Sequence, residues 1–329
     1  WESRGSRLLI LNGDPIKLIP KLADLIKAEC IYWNENIEPY EINRDKQVID
    51  KLSKDKRKVY TFLDQLIVNP NKIKTNNDEP YKVYGPFYRK WIDIINNKKL
   101  LDDNSVNILS TPKTIPGLNP SEISSIKESN LNYSISSNSE GVCDLLSTNR
   151  FKDTNLCPCK PGELASIKQL NFFIQSETIY SYNKARDIPS SESTSNLSAA
   201  LNLGTISCRS VWNGAQSSRN LASNEYQLDS INTWIKELAW REFYQNALFH
   251  FPELEKGPYR KKWFNFPWQN RHDWFECWEN GLTGIPIIDA AMRQLKHSGW
   301  MHNRCRMIVA SFLVKDLLID WRWGENLFM

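Results

Sequence analysis

Residues 299–321 read GWMHNRCRMIVASFLVKDLLIDW, and this stretch predicts the helical half of the chain. Apolar side chains fill 307–314, at a spacing that predicts a helix over 303–321. The polar and aromatic residues around that run are Asn303, Arg304, Arg306, Asp316 and Trp321. An ordinary core helix does not combine so many charged and aromatic side chains, so the rest of the chain has to explain them.

Helical spacing dominates the chain from residue 163 onward. Besides 303–321, the predicted helices cover 163–186, part of 197–215, 228–249, 274–280 and 287–296. The period-two alternation of a half-buried strand is essentially absent from this region. We therefore predict an all-α domain over 163–329.

The N-terminal region has the pattern of an α/β domain. A short apolar strand at Leu8–Leu11, helical spacing over 16–28 and a second strand at 30–33 predict a βαβ unit. Such a unit implies a parallel sheet with a right-handed crossover, and a further helix is predicted around 44–53. No G-x-G-x-x-G motif follows either strand, so the pattern does not support a dinucleotide-binding loop.

A change of composition separates the two regions. Ser, Asn, Pro and Lys dominate from about residue 102 to 138, where apolar residues are few, as is typical of a surface connector. We assign 1–101 to the α/β domain, 102–162 to an interdomain linker and 163–329 to the helical domain.

Length and composition bound the class of protein. The 329 residues are 41% hydrophobic and carry a net charge of +4, which is typical of a globular protein with two domains and excludes a disordered or fibrous chain. The positive charge permits an anionic partner without identifying one. No window of about 18 apolar residues predicts a membrane span.

Seven scattered cysteines indicate a reducing compartment, so we expect a cytoplasmic protein. Only Cys157 and Cys159 lie close together, and no His or second Cys pair stands near them. A loop with two thiols is favoured over a zinc site, and we expect no metal ion. Nothing in the sequence indicates oligomerisation, so we expect a monomer.

Two aromatic patterns have competing interpretations. Ten of the thirteen tryptophans lie between Trp212 and Trp323, either as packing residues or as rings that stack on a flat ligand. One helical stripe carries four residues at positions i, i+3, i+4 and i+7: Glu237, Trp240, Arg241 and Tyr244. The stripe is either a solvated helix face with a chance aromatic or the wall of a pocket for a hydrogen-bonding aromatic ligand.

The hydroxyl-rich run TSNLS at 194–198 precedes a predicted helix that begins near residue 199. Hydroxyls and backbone N–H groups at a helix start bind phosphate readily. Taken alone, the run is more simply interpreted as an ordinary N-cap.

Four long motifs resemble the flavin domain of the DNA photolyase and cryptochrome family. They are YSYNKARDIPSSESTSNLSAALNLG at 180–204, ELAWREFY at 237–244, TGIPIIDAAMRQL at 283–295 and the stretch at 299–321. YKVYGPFYRKW at 81–91 resembles the end of the family's antenna domain, and one departure is Ser193, where relatives often have Gly. The resemblance implies an α/β, Rossmann-like antenna domain with a parallel sheet, followed by an all-α FAD-binding domain.

The resemblance also implies where ligands bind. The residues matching the family's phosphate and flavin contacts are Tyr182, Thr194, Ser195, Asn196, Leu197 and Ser198. Arg306 and Asp316 match an ion pair beside the flavin, and Trp268 and Trp321 match the outer and middle members of the tryptophan chain that photoreduces it. Asn77 and Glu79 are either antenna contacts or turn residues, and the antenna is either an 8-hydroxy-deazaflavin or methenyltetrahydrofolate.

The resemblance favours the branch that repairs cyclobutane pyrimidine dimers in ultraviolet-damaged DNA (class I type). Four residues match dimer contacts: Glu237, Trp240, Asn303 and Met307. Further DNA contacts are expected from Arg186, Arg241, Tyr244 and Arg304. The implied activity is a photo-lyase reaction in which light-excited, reduced and anionic FAD donates an electron to the flipped-out dimer; the alternative is a cryptochrome-like blue-light receptor. Because family members extend further at both ends, we expect this chain to be a fragment with both domains incomplete.

Overall fold

A computed structural model describes residues 4–6, 8–97, 112–129, 131, 133–136 (backbone only) and 159–328. The chain divides into two compact units, one comprising 1–152 with 243–255 and the other 153–242 with 256–329. Within the described residues, no helix is both long and apolar enough to cross a membrane.

The first unit alternates strands and helices. Its elements are β1 (Leu8–Leu11), α1 (Pro15–Leu25), β2 (Cys30–Asn34), α2 (Pro39–Lys54), β3 (Lys58–Phe62), a 3₁₀ turn (Pro70–Lys72), α3 (Tyr84–Asn96), α4 (Pro120–Glu128) and β4 (Tyr133–Ser136). Helix α1 begins at Pro15 because the Asp14 carboxylate accepts from the Ile16 N–H at 2.9 Å and the proline needs no donor partner there. The α/β character predicted for this region is confirmed.

The strand pairing differs from the predicted βαβ unit. Strand β1 pairs antiparallel with β4, whereas β2 pairs in parallel with β3, with Cys30 opposite Lys58. The parallel unit is therefore β2–α2–β3, and the predicted pairing of the strands at Leu8–Leu11 and 30–33 was wrong. The inner face of this two-stranded sheet packs Ile31 and Val59 against Ala23 of α1 and Leu52 of α2.

The predicted linker contains ordered elements. Helix α4 starts with a capping box, in which the Asn119 side chain accepts from the Glu122 N–H at 2.9 Å and Glu122 accepts from the Asn119 N–H at 2.7 Å. Ile126 of α4 is fully buried. This helix was not predicted because the segment has few apolar residues. A short helix with one buried face needs only a few of them.

The second unit is helical, as predicted. Its elements are α5 (Glu163–Gln175), α6 (Glu177–Ala185), α7 (Ser198–Asn202), α8 (Cys208–Leu221), α9 (Glu225–His250, whose last turns belong to the first unit), 3₁₀ turns (Pro252–Glu255, also of the first unit, and Lys261–Trp263), α10 (His272–Glu279), α11 (Pro286–Ser298), α12 (Asn303–Ser311), a π-helical turn (Phe312–Asp316) and α13 (Trp321–Phe328).

Two predicted helices are interrupted. The helix predicted over 163–186 breaks at Ser176, whose extended backbone (φ −85°, ψ 159°) ends α5 and starts α6. The helix predicted over 303–321 passes into the π-helical turn after Ser311, and Leu318 then adopts a left-handed conformation with φ 50°. A non-glycine residue at positive φ cannot continue a right-handed helix, so α13 is a separate element.

Trp278 anchors the core of α10–α13. It is fully buried against Ile288, Met292 and Leu313, and its indole N–H donates to the Val309 carbonyl at 3.1 Å. For this tryptophan the packing interpretation therefore holds.

Asp289 fixes the turn that precedes α11. Its buried carboxylate accepts from the Thr283 N–H at 2.8 Å, the Thr283 hydroxyl at 2.6 Å and the Gly284 N–H at 3.0 Å. Burial alone would raise the pKa of Asp289, but these hydrogen bonds outweigh it and lower the pKa below its ordinary value.

We expect Asp289→Ala to lower the free energy of unfolding at pH 7 by about 2 kcal/mol, because three donors lose their acceptor. A lowered folded-state pKa means that this stabilisation is present above the ordinary carboxyl pKa and is lost as pH falls through the lower, folded value. Urea denaturation should therefore show a gap between wild type and variant that narrows below about pH 4.

The exposed Glu276 of α10 provides the control, since Glu276→Ala should leave the unfolding free energy nearly unchanged. Equal losses in the two variants, or a gap that stays constant in acid, would contradict the role assigned to Asp289.

Candidate functional site

A cavity of about 550 Å³ in the second unit is formed by three segments remote in sequence. They are the end of α6 with α7 and the turn between them, one face of α9, and residues 299–306 at the start of α12. Ten residues predicted from the sequence line it: Tyr182, Arg186, Thr194, Ser195, Asn196, Leu197, Ser198, Glu237, Asn303 and Arg306. The structure therefore brings most of the predicted cofactor contacts to one place.

Three further ring-bearing residues line the same cavity and were not predicted: Trp234, Trp300 and His302. Trp234 lies one helical turn before Glu237, so extending the predicted stripe by three residues would have found it. Trp300 and His302 stand inside the stretch at 299–321 but follow no periodic pattern.

A network of side-chain and backbone bonds shapes the turn before α7. The Ser193 hydroxyl donates to the Ala185 carbonyl at 2.7 Å, and the Gln169 amide donates to the Ser195 carbonyl at 3.1 Å. Asn196 has a positive φ of 52°, and its side-chain oxygen accepts from the Thr194 hydroxyl at 3.1 Å. The N-cap of α7 is Leu197, without a side-chain cap. The ordinary N-cap interpretation of 194–198 is therefore not what the structure contains.

Four alternating charges border the cavity, and we call them the four-charge network: Arg304, Asp187, Arg186 and Glu237. Arg304 Nε lies 2.6 Å from Asp187 Oδ1, Arg186 Nε lies 3.4 Å from the same oxygen, and Arg186 Nη1 lies 2.5 Å from Glu237 Oε1. The hydrogen bond from Arg304 lowers the pKa of Asp187. Asp187 was not predicted, because a single acid beside an arginine has no distinctive sequence signal.

The ring of Tyr182 lies against Arg186 of this network. Burial raises the pKa of its phenol far above the ordinary value, and the nearby Glu237 carboxylate raises it further. The guanidinium carbon of Arg186 lies 5.4 Å from the centre of the Tyr182 ring. The phenol therefore stays neutral and its ring supports Arg186.

His302 is the N-cap of α12 and is almost fully buried. Its Nδ1 accepts from the Arg304 N–H at 3.1 Å, so the proton of the neutral ring lies on Nε2. Burial, followed by the charge of Arg304, lowers the pKa of His302 and keeps the ring neutral. Nε2 has no hydrogen-bond partner among the described residues.

The predicted ion pair between Arg306 and Asp316 is not formed. Arg306 Nε donates to the Met301 carbonyl at 3.2 Å, and burial lowers its pKa. Asp316 is exposed at the end of the π-helical turn. It lies ten residues after Arg306, which is about 15 Å along a helix axis and too far for an ion pair. The buried acid of this segment is Asp320, which pairs with Arg322. In the described part of the chain, Arg306 has no carboxylate partner.

Several predicted residues lie outside the lining. Trp240 is half-buried, Met307 is 54% exposed and Tyr244, which belongs to the first unit, is 65% exposed. Arg241 donates to the Leu201 carbonyl at 3.3 Å, which directs it to the end of α7. The four-residue stripe covers two helical turns of α9, and the cavity reaches only the first of them.

Among the described residues no ring contact joins the two predicted electron-transfer residues, although their segments adjoin: the Gln269 N–H donates to the Leu318 carbonyl at 2.8 Å. The ring centre of Trp268 lies 4.4 Å from that of Phe266, whereas Trp321, the first residue of α13, makes no ring contact with any described residue.

The predicted antenna residues Asn77 and Glu79 are exposed in a tight turn, in which the Thr75 N–H donates to the Glu79 carbonyl at 2.8 Å. Their backbone geometry agrees with the turn interpretation.

No group of three metal-ligating side chains occurs in the residues that the structure describes, and Cys157 lies outside them. A larger cavity of about 840 Å³ lies beside α5, but its walls include the exposed Leu164, Phe172 and Leu203 and no member of the four-charge network. The smaller cavity is therefore the better candidate for a polar ligand.

Comparison with known proteins identifies the family. A family model described as DNA photolyase matches residues 1–103, and one described as the FAD binding domain of DNA photolyase matches 234–329. A deoxyribodipyrimidine photo-lyase of Synechococcus is 43% identical over 329 residues, which cover 100% of this chain and 64% of that relative. One from Agrobacterium fabrum is 36% identical, covering 99% and 63%.

Solved structures of photolyases and cryptochromes are similar to this chain. A class III photolyase from Agrobacterium tumefaciens matches with a TM-score of 0.76 at 34% identity, and a Synechocystis cryptochrome with a TM-score of 0.80 at 25% identity. Each match covers 99% of this chain and 63% of the other. In this chain the residues matched by the first model form the α/β region and those matched by the second lie in the helical region. This chain belongs to the DNA photolyase family, as its motifs predicted, and spans about 64% of the length of its Synechococcus relative.

The ion pair between Arg186 and Glu237 should contribute to stability, because their side chains are only 16% and 30% exposed. A double-mutant cycle with Arg186→Gln and Glu237→Gln should give a coupling energy of about 1 kcal/mol in urea denaturation.

The pair Arg271–Asp273, with side chains 51% and 61% exposed, provides the matched control and should show no measurable coupling. The same small value for both pairs would mean that the cavity pair does not hold α6 to α9.

Proposed function

We propose that the protein repairs cyclobutane pyrimidine dimers in DNA by a light-driven carbon–carbon lyase reaction that uses FAD. The observation that carries this proposal is one cavity in which the Glu237 carboxylate, held by Arg186, lies with the buried and unpartnered Nε2 of His302. The names of the relatives, which are photo-lyases, support the same activity.

The residues of the cavity fit FAD. A buried donor without an acceptor costs about 1–3 kcal/mol, and the Nε2–H of His302 is such a donor. Arg306 adds a guanidinium without a carboxylate partner in the described part of the chain, and hydroxyls stand at 194, 195 and 198. FAD offers phosphate, carbonyl and ring-nitrogen acceptors, and its anionic reduced form matches the positive charge of Arg306.

When bound and reduced, FAD would supply under blue light an electron that opens the cyclobutane ring of the dimer and then returns. The protein's part in this proposal is to bind, orient and exclude water. Glu237 hydrogen-bonds the damaged bases, and Arg186 prevents its carboxylate from rotating away. Asn303 adds an amide at the first turn of α12, and Trp240 and Met307 contribute surface on which the extruded bases rest.

The remaining roles are part of the same proposal. Arg304 lies at the border of the cavity, where it can meet a DNA phosphate, and Arg241 and Tyr244 are proposed as further DNA contacts. Trp268 and Trp321 are proposed to relay electrons, and a folate or deazaflavin antenna to bind the first unit. No cysteine among the described residues forms a disulfide, which fits the expected cytoplasmic location, and we propose that the protein is a monomer.

A cryptochrome-like light receptor is the second candidate, because a Synechocystis cryptochrome has a similar structure. Such a receptor needs the flavin site but no dimer contacts. Glu237 and Asn303 in the cavity favour repair.

The test uses the full-length gene product, loaded with reduced FAD and mixed with an oligonucleotide that contains one thymine dimer. We expect blue light to restore the thymines and darkness to leave the dimer intact. Glu237→Gln should slow repair about ten-fold or more, the effect of losing a hydrogen bond to a charged group.

Glu276→Gln changes the charge equally on the exposed face of α10 and should repair at the wild-type rate. Wild-type protein that holds reduced FAD and binds the oligonucleotide, yet leaves dimers intact under light, would favour the receptor.

A further inference from the structure

Asp187 has no role in the proposed repair reaction as described so far. It does not line the cavity, and its side chain is 53% exposed. Its Oδ1 accepts from Arg304 at 2.6 Å and lies 3.4 Å from Arg186. One exposed carboxylate thus engages both arginines at the border of the cavity.

A carboxylate at such a place opposes nonspecific DNA binding. It carries the same charge as a phosphate, and its bond to Arg304 has to be broken before that arginine can contact the DNA backbone. An undamaged duplex offers this surface mainly phosphates, so the restraint weakens the binding of undamaged DNA.

The same carboxylate supports the binding of a lesion. Arg186 has two acidic partners, Asp187 and Glu237, and its side chain is only 16% exposed. With Asp187 in place, Arg186 is held from two sides and fixes the Glu237 carboxylate in the cavity. Without it, Arg186 can turn outward to a phosphate and release Glu237.

We propose that Asp187 determines specificity: it keeps Arg304 from undamaged phosphates and holds Arg186 where it orients Glu237. This inference rests on the proposed function, since it assumes that a lesion enters the cavity. Specificity is a difference between two affinities, and Asp187 acts on both in opposite directions.

The test measures the affinity of the full-length protein, in the dark, for a duplex with one thymine dimer and for the same duplex without it. We expect Asp187→Asn to bind undamaged duplex about two- to five-fold more tightly, the effect of releasing one partly exposed ion pair. The preference for the damaged duplex should fall by at least that factor.

Salt dependence separates this role from a merely structural one. One additional phosphate contact should steepen the slope of log affinity against log salt, for undamaged duplex, by about 0.9. Arg304→Gln in the Asp187→Asn background should remove the additional slope, and Asp187→Glu, which keeps the charge, should retain the wild-type slope.

Asp273→Asn is the matched control, because Asp273 is an exposed acid paired with Arg271 and its loss changes the net charge equally. It should leave the slope and the preference unchanged. If Asp187→Asn behaves like Asp273→Asn while wild type prefers the damaged duplex, this inference is wrong and the proposed function stands. If wild type has no preference, both fail.

Discussion

Two ion pairs hold together three segments that are far apart in the sequence. Arg186 reaches Glu237 across 51 positions at 2.5 Å, and Arg304 reaches Asp187 across 117 positions at 2.6 Å. They connect the end of α6 with α9 and with α12. Because the cavity exists only where these segments meet, its shape depends on these charges as well as on apolar packing. Removing one partner of a partly buried ion pair leaves the other charge uncompensated, which favours the arrangement in which these segments meet.

In contrast to its ion-paired border, the interior of the cavity contains polar groups that lack a partner among the described residues. His302 offers a buried donor without an acceptor, and no described acid pairs with Arg306. A protein tolerates such unsatisfied groups where a ligand completes them. The border of the site is thus internally neutralised, whereas its interior is left incomplete, and this contrast supports a bound anionic cofactor.

Local patterns predicted most elements of the fold. Helix α9 was predicted at 228–249 and extends over Glu225–His250, a run that contains no Gly or Pro to break a helix. Pairing was less predictable: the strand at Leu8–Leu11 has the expected composition, but nothing in its pattern indicates that its partner is β4. A sequence specifies that a strand forms more directly than which strand it meets.

Some residues of the candidate site were predicted from the sequence and others were not. The turn at 194–198 and Glu237 stand in long motifs and were found. The Arg306–Asp316 pair was wrong because it was taken from the resemblance, whereas ten residues of helix place the two side chains about 15 Å apart along the axis. Asp187 and His302 gain their importance only from contacts across the fold, so no local pattern distinguishes them.

Photolabelling tests the central claim that this cavity is the flavin site. Full-length protein would be illuminated with bound 8-azido-FAD, digested, and the labelled peptides identified by mass spectrometry. If the flavin binds in this cavity, the labels should lie in peptides from 182–198, 234–241 or 299–306. Labels confined to other regions, such as the walls of the larger cavity around Leu164 and Phe172, would contradict it.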